Sequence, residues 1–330
     1  MRKIRLLVAS VCVVAGALAA TAGGAQAATF VVNPGQSIQA AIDAANPGDT
    51  ILVRPGTYRE ELVIYKDRIR LQGTLAALQP PAQPTDPCGT PIGICVVANG
   101  ITVSGFMVSG FEDSGILAFE TDRVTFLNNQ SSHNGEYGLV AFETTRTTMS
   151  GNKANSNGEA GLYVGDSPVS AVSVHDNSAQ GNAFGVLYRN AEGGSIVANK
   201  LTNNCAGIVV LADAPGPAGH VNIQSNTVTN NSAACDTEAG PVSGAGIVLS
   251  GADHVGVHAN DVEFNVPTGF TVWQGGVVVV SGFSFTPPQF NSITGNTILH
   301  NHPDLFWDST GIGNVFKPNQ CHTSFPAGLC

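Results

Sequence analysis

Carboxylates recur at a fixed place in this chain. Five residues on from Gly115, Gly138, Gly161 and Gly185 stand Glu120, Glu143, Asp166 and Asn190, and Asp213 is displaced by one place after Gly207. If the repeats are strand layers, equivalent residues stack about 5 Å apart and form an acidic column. Like charges at that spacing raise one another's pKa, splay into water or hold a cation. Calcium, which takes oxygen ligands, fits Glu120, Glu143 and Asp166. Arg123 and Arg146 follow the first two acids by three residues, Tyr188 and Arg189 precede Asn190, and Tyr163 lies nearby. Such a set suits two chemistries on a polysaccharide. With calcium neutralising a sugar carboxylate, Arg146 or Arg189 would abstract a C5 proton and Tyr163 would protonate the leaving oxygen. In a hydrolase, two of the carboxylates would instead work as acid and base. The plain alternative is a solvated surface of ion pairs without function.

The elements that hold this column show in a second, stricter repeat. Asn129, Asn152, Asn177, Asn199, Asn226, Asn260 and Asn296 are each followed five residues later by another asparagine, from Asn134 to Asn301. Apolar residues precede most anchors at alternate positions, as in Val172 and Val174 or Val255 and Val257, which is strand alternation with one face buried. A further apolar residue two places after the anchor marks a second strand, and Gly138-Leu-Val-Ala-Phe or Gly207-Ile-Val-Val-Leu a third. Three short strands per repeat make one coil of a three-sheet solenoid, an all-β, right-handed, single-stranded parallel β-helix. Anchor spacings of 23, 25, 22, 27, 34 and 36 residues keep the coil while admitting insertions at turns. The asparagines are expected to occupy left-handed turn positions and to bond neighbouring main chain, coil upon coil. That role removes them from the chemistry.

The outward columns differ from sheet to sheet. On the sheet carrying the acids they read Leu117, Val140, Tyr163, Leu187, Val209, Val248 and Val278, an apolar strip that something must cover. Candidate covers are the proline-rich insertion 79–91 and the loops 213–219 and 233–244, and if they close over the strip no site lies there. The neighbouring sheet presents Thr125, Thr148, Ser173, Ser195 and Asn222, an ordinary wet face that also offers glycan contacts. His254 and His258 flank one of its strands, a weak metal-binding pair.

Residues 1–27 read as a secretory signal peptide, with Arg2, Lys3 and Arg5 before an apolar run and Ala25-Gln26-Ala27 at its end. Its removal takes away three basic and no acidic residues, so a formal charge of −10 becomes −13. Such a charge argues against nucleic acid and anionic membrane as partners. Six cysteines then remain in close pairs, Cys88 with Cys95, Cys205 with Cys235 and Cys321 with Cys330, which suits disulfides in an extracellular or cell-envelope setting. Residues 28–330 are expected to form one domain, with a capping helix over about 37–45 and regular coils over about 99–315. Ser37 caps that helix, and Pro47 stops it. Oligomeric state is not legible.

The signal peptide, Ser-Ile-Gln-Ala-Ala-Ile-Asp-Ala-Ala, Gly-Asp-Thr-Ile-Leu-Val-Arg-Pro-Gly-Thr-Tyr and the Asn-Gly repeats together resemble the pectate-lyase-like β-helix superfamily. Within it the repeats are most similar to the carbohydrate-processing group of mannuronan epimerases, alginate lyases and the nitrous-oxide-reductase accessory protein. The resemblance implies an extracellular protein that binds or processes polysaccharide, by lyase, epimerase or hydrolase chemistry. The group's active-site motifs do not carry over: His302-Pro303-Asp304 differs in order from Asp-Pro-His-Asp, and Trp307-Asp308 matches Trp-Ile-Asp-His only superficially. A non-catalytic β-helix that recognises cell-wall glycan or a protein partner therefore stands beside the enzyme reading.

Overall fold

The computed structural model describes residues 27–213, 216–238 and 240–330. Nearly all of the signal-peptide segment lies outside them. Two parallel sheets dominate: a 19-stranded ladder that wraps two faces of the solenoid and an 11-stranded sheet that forms the third. In the latter the strands stack in chain order from Leu62–Ile64 to Ser324–Phe325, every pairing parallel. One helix, Ile38–Ala44, closes the N-terminal end. Ser37 Oγ accepts from Ala40 N at 3.1 Å, and the Glu60 carboxylate accepts from Ile38 N and Gln39 N, meeting the unpaired donors of the first turn. Ile38 and Ile42 face the first coil and are fully buried.

Alternation fills the bore. In the 11-stranded sheet Ile116, Leu139, Leu162, Val186, Ile208 and Ile247 lie in register, each fully buried. Burial of such side chains stabilises the coil stack by roughly 1.5–3 kcal/mol each. The asparagines form two ladders through the interior. Asn129, Asn152, Asn177, Asn199, Asn226, Asn260 and Asn296 each donate through Nδ2 to the next Oδ1 at 2.9–3.2 Å, the last to Asn319. A parallel ladder runs from Asn134 to Asn301 and ends on the buried Asp304.

One detail of the sequence expectation needs correction. The left-handed position is the residue before each ladder asparagine, as at Asn128, Asp176, Ala198, Ser225 and Ala259, with φ of 54–57°. The asparagine itself supplies hydrogen bonds. Asn177 Oδ1, for example, accepts from Asn152 N at 2.9 Å while its Nδ2 also reaches Met149 O at 2.9 Å. Bends between strands leave those backbone groups without ladder partners, and buried polar groups must be met.

The cysteines form three disulfides, Cys88–Cys95, Cys205–Cys235 and Cys321–Cys330. Two of them fasten loops to the outer face of the 11-stranded sheet, where Cys95 belongs to strand Ile94–Val96 and Cys205 leads into Ala206–Leu211. A small antiparallel hairpin, Ala234–Thr237 with Gly240–Ser243, is held there through Cys235.

Candidate functional site

The apolar strip on the outer face is covered along only part of its length. Val209, Val248 and Val278 are buried beneath Val242 of the hairpin and Trp273, building a second hydrophobic cluster outside the solenoid. Toward the N-terminal coils the cover stops, and an open cleft of about 480 Å³ remains. One wall is the Cys88–Cys95 loop, with Thr90 and Ile92, and Glu238 of the hairpin turn faces it from the other side. A smaller recess of about 120 Å³, lined by Glu159, Arg189, Asp213, Glu238 and Phe283, continues the groove along the coil stack. The Cys88–Cys95 loop and the hairpin thus frame a cleft instead of closing over the whole strip.

Aromatic rings make the floor. Tyr137 stacks on Tyr163 with centroids 4.7 Å apart and planes within 13°, and Phe142 links Tyr163 (6.4 Å) to Phe119 (5.9 Å). Strand register explains the row. Phe119 pairs Phe142, which pairs Gly165, which pairs Arg189, so one column of outward positions carries two phenylalanines, a gap and a cation. The gap matters, because a Cβ at Gly165 would overlap the Tyr163 hydroxyl. Glycine there lets the phenol lie across the sheet toward Arg189. Burial, the larger influence, outweighs Arg189 and holds the Tyr163 hydroxyl well above the ordinary tyrosine range.

The carboxylates around this floor are mostly ones the sequence reading passed over. Asp113, Glu136 and Glu159 stand two residues before the coil glycines and are stacked by main-chain bonds, Glu136 N to Asp113 O at 2.9 Å and Glu159 N to Glu136 O at 2.7 Å. Burial raises the Glu136 carboxyl, and Asp113, Glu159 and Glu238 raise it further. Burial also raises Glu159; the Tyr137 hydroxyl and the charge of Arg189 pull the other way, and Glu238 adds to the rise. Tyr137 in turn is pushed up by burial and by Glu159. Two carboxyls with raised pKa thus stand on adjacent coils beside the aromatic floor, where a protonated and an ionised form can both be held.

Of the residues expected to act, the structure gathers Tyr163, Arg189 and Asp166 at the cleft and leaves Glu120, Glu143 and Arg146 outside it. Glu120, Glu143 and Asp166 occupy left-handed turn positions with φ of 45–54° and are exposed at the sheet edge. That turn points the side chains outward, so their carboxylates are not among the ligand sets that converge among the described residues. Arg146 grips Asp122 through Nε at 2.7 Å and Nη2 at 2.6 Å, holding that carboxyl below its usual range. An arginine so engaged is a poor base. Asp166 accepts from Asn190 Nδ2 at 3.0 Å, and Arg189 donates to Asp213 at 2.7 Å. Although burial works against its charge, the bond to Asp213, with Tyr163 and Asp166 nearby, keeps Arg189 above its ordinary pKa.

The signal for Glu136 and Glu159 was present as Asn-Gly-Glu-x-Gly, repeated at 134–138 and 157–161. The pair His254 and His258 does not form either: His254 stacks on His220, and His258 Nε2 lies 3.2 Å from Gln224 Oε1.

Parallel coils, a ladder-filled bore and a cleft on one outer face define a right-handed β-helix. The chain matches the family described as "Right handed beta helix region" over residues 88–179 and 114–285, and it belongs to that family. No curated protein matches it in sequence. Among solved structures, the Dettilon tailspike protein resembles it at 13% identity and a TM-score of 0.58, over 90% of this chain and 60% of that one. This chain thus spans well under two thirds of the tailspike's length. The A-module of a mannuronan C-5 epimerase from Azotobacter vinelandii has 17% identity and a TM-score of 0.58, over 87% of this chain and 86% of its own. A family 28 exopolygalacturonase from Yersinia enterocolitica has 11% identity and a TM-score of 0.59, over 90% of this chain and 75% of its own. Those two names are of polysaccharide-processing enzymes. At such identities the likeness is of fold.

Proposed function

We propose that the protein acts on polysaccharide outside the cytoplasm, binding an uncharged glycan in the cleft of the 11-stranded sheet and hydrolysing it with Glu136 and Glu159. The observation that carries this reading is the stacked Tyr137–Tyr163 floor bordered by two carboxyls whose pKa is raised. Aromatic faces suit the apolar faces of sugar rings, and carboxylates accept from their hydroxyls. One carboxyl, kept protonated, donates to the departing glycosidic oxygen while the other, ionised, activates water or attacks the sugar. A polyuronate fits less well, since Asp113, Glu136, Asp166 and Glu238 line the cleft and Arg189, its one lining cation among the described residues, is already engaged by Asp213. Calcium coordination by Glu120, Glu143 and Asp166, which the uronate chemistry needs, has no geometric support here.

The test is a panel of neutral and uronate oligosaccharides, with reducing ends and unsaturated-uronate absorbance both followed. Neutral oligosaccharide should be cleaved without added calcium, and Glu159→Gln should bind it while releasing no reducing ends. Unsaturated products from uronate would overturn the hydrolytic reading. A second reading, binding without catalysis, is favoured by the Tyr137 hydroxyl, which draws Glu159 back toward its charged form. Retention of glycan with no bond cleavage by the wild type would select it.

A further inference from the structure

We infer that the turn joining Glu192, His220, Asp253 and His254 is a site for a divalent transition-metal ion such as Zn²⁺, separate from the glycan cleft. The backbone assembles it. Glu192, Gly219 and Asp253 are bridged in register from coil to coil, and His220 N donates to Asp253 O at 2.8 Å. His220 and His254 follow as the left-handed residues of their turns, with φ of 49° and 51°, so both side chains leave the solenoid in the same direction. Their rings stack at 4.8 Å within 9° of parallel, and Phe290 stacks on the far side of His254 at 5.0 Å.

Donor atoms of His220, Asp253 and His254 all lie within 4.8 Å of one another. Glu192 Oε1 adds a fourth donor 3.9 Å from His220 Nε2. Asp253 Oδ1 lies 2.7 Å from His254 Nδ1, yet the approach is misaligned and this buried oxygen is left without a hydrogen bond. An oxygen in that condition gains from a cation. The imidazoles are about half exposed, so turning out of the stack would bring their ring nitrogens onto one ion. Two imidazoles and two carboxylates offer an N₂O₂ donor set, which suits Zn²⁺ and its neighbours in the first transition row and is too nitrogen-rich for Ca²⁺ or Mg²⁺.

The experiment is calorimetric titration of the tag-free full chain with Zn²⁺, and separately with Ca²⁺, at neutral pH. It compares wild type, His220→Gln, His254→Gln and, as a control on the adjacent strand, His258→Gln. One Zn²⁺ per chain is expected, with affinity lowered at least about tenfold by either of the first two substitutions, the scale of even an outer-shell loss. His258→Gln should leave it unchanged. X-ray absorption of the zinc-loaded wild type should show two imidazoles in the first shell, a readout that needs no variant to fold. Absence of stoichiometric Zn²⁺ uptake, equal uptake of Ca²⁺, or zinc binding indifferent to both His220→Gln and His254→Gln would each overturn the assignment.

Discussion

The interior ladders and the outer cleft are built from the same coils and obey opposite rules. Past the first rung of each ladder, every asparagine does what its neighbours above and below do, and its Oδ1 meets a backbone N–H and an amide at once, as Asn199 Oδ1 does for Asn177. The cleft uses each coil differently. At one outward register the successive residues are Phe119, Phe142, Gly165 and Arg189, and its walls come from loops found in single coils. Regularity therefore supplies the scaffold, and departure from regularity supplies the chemistry.

The largest effect should come from breaking the regular region. Asn177→Ala deletes the acceptor of Asn152 N and Nδ2 and the donor to Met149 O, all buried. At about 1–3 kcal/mol for each buried polar group left unpaired, the loss should exceed 3 kcal/mol in reversible denaturation, well above a typical substitution. A loss below about 1 kcal/mol would mean that water replaces the amide, and the claim that the ladder is a dry structural element would fail.

The next effect sharpens the contrast from the cleft side. Gly165→Ala places a methyl group where the Tyr163 hydroxyl lies, so the phenol must leave the floor. Affinity for neutral oligosaccharide should fall about tenfold, roughly 1.4 kcal/mol, and the unfolding midpoint should also fall, because the displaced Tyr163 is buried in the outer hydrophobic cluster. Unchanged binding would show that Tyr163 is core packing and no part of a sugar platform.

How much of this was legible follows from the same contrast. Asn129 to Asn296, the strand alternation and the apolar strip from Leu117 to Val278 repeat, so spacing alone reveals them. The αL position was misplaced by one residue because asparagine's tolerance of that region drew attention away from Ala198 and Ala259, which adopt it anyway under the stacking of neighbouring coils. The cleft was harder to read. Whether the Cys88–Cys95 loop and the Ala234–Thr237 hairpin close over the strip depends on the directions in which they leave their coils, and no local pattern encodes that. Glu136 and Glu159 were hidden by counting forward from the coil glycines, which led to turn residues aimed at water, when the acids that face the floor lie two places before them.

A subtler change isolates the electrostatics of the pair. Tyr137→Phe removes the hydroxyl that lowers the Glu159 pKa. That hydroxyl favours the charged carboxylate, so without it the Glu159 pKa, already raised by burial, rises further. The limb of the pH–rate profile that reports loss of the acid's proton should move to higher pH, and carbon NMR of labelled glutamate should show the same displacement. A move to lower pH would reverse the direction assigned to the hydroxyl.

The smallest effect is expected at the place where the sequence pointed first. Arg146 meets Asp122 in a two-pronged pair, but its side chain is 59% exposed and the pair faces solvent beside Arg123. Exposed pairs contribute about 0–1 kcal/mol, since water and salt screen the charges and two long side chains must be held still. Arg146→Ala should therefore shift stability by less than about 1 kcal/mol and leave glycan cleavage unaltered, whereas an abstracting base would take activity with it. The outward acids and arginines of those turns recur from coil to coil as the ladders do, but in water, which screens their charges. A large loss of activity in Arg146→Ala would move the site from the floor of Tyr137 and Tyr163 to the sheet edge, and the division between regular scaffold and irregular cleft would not hold.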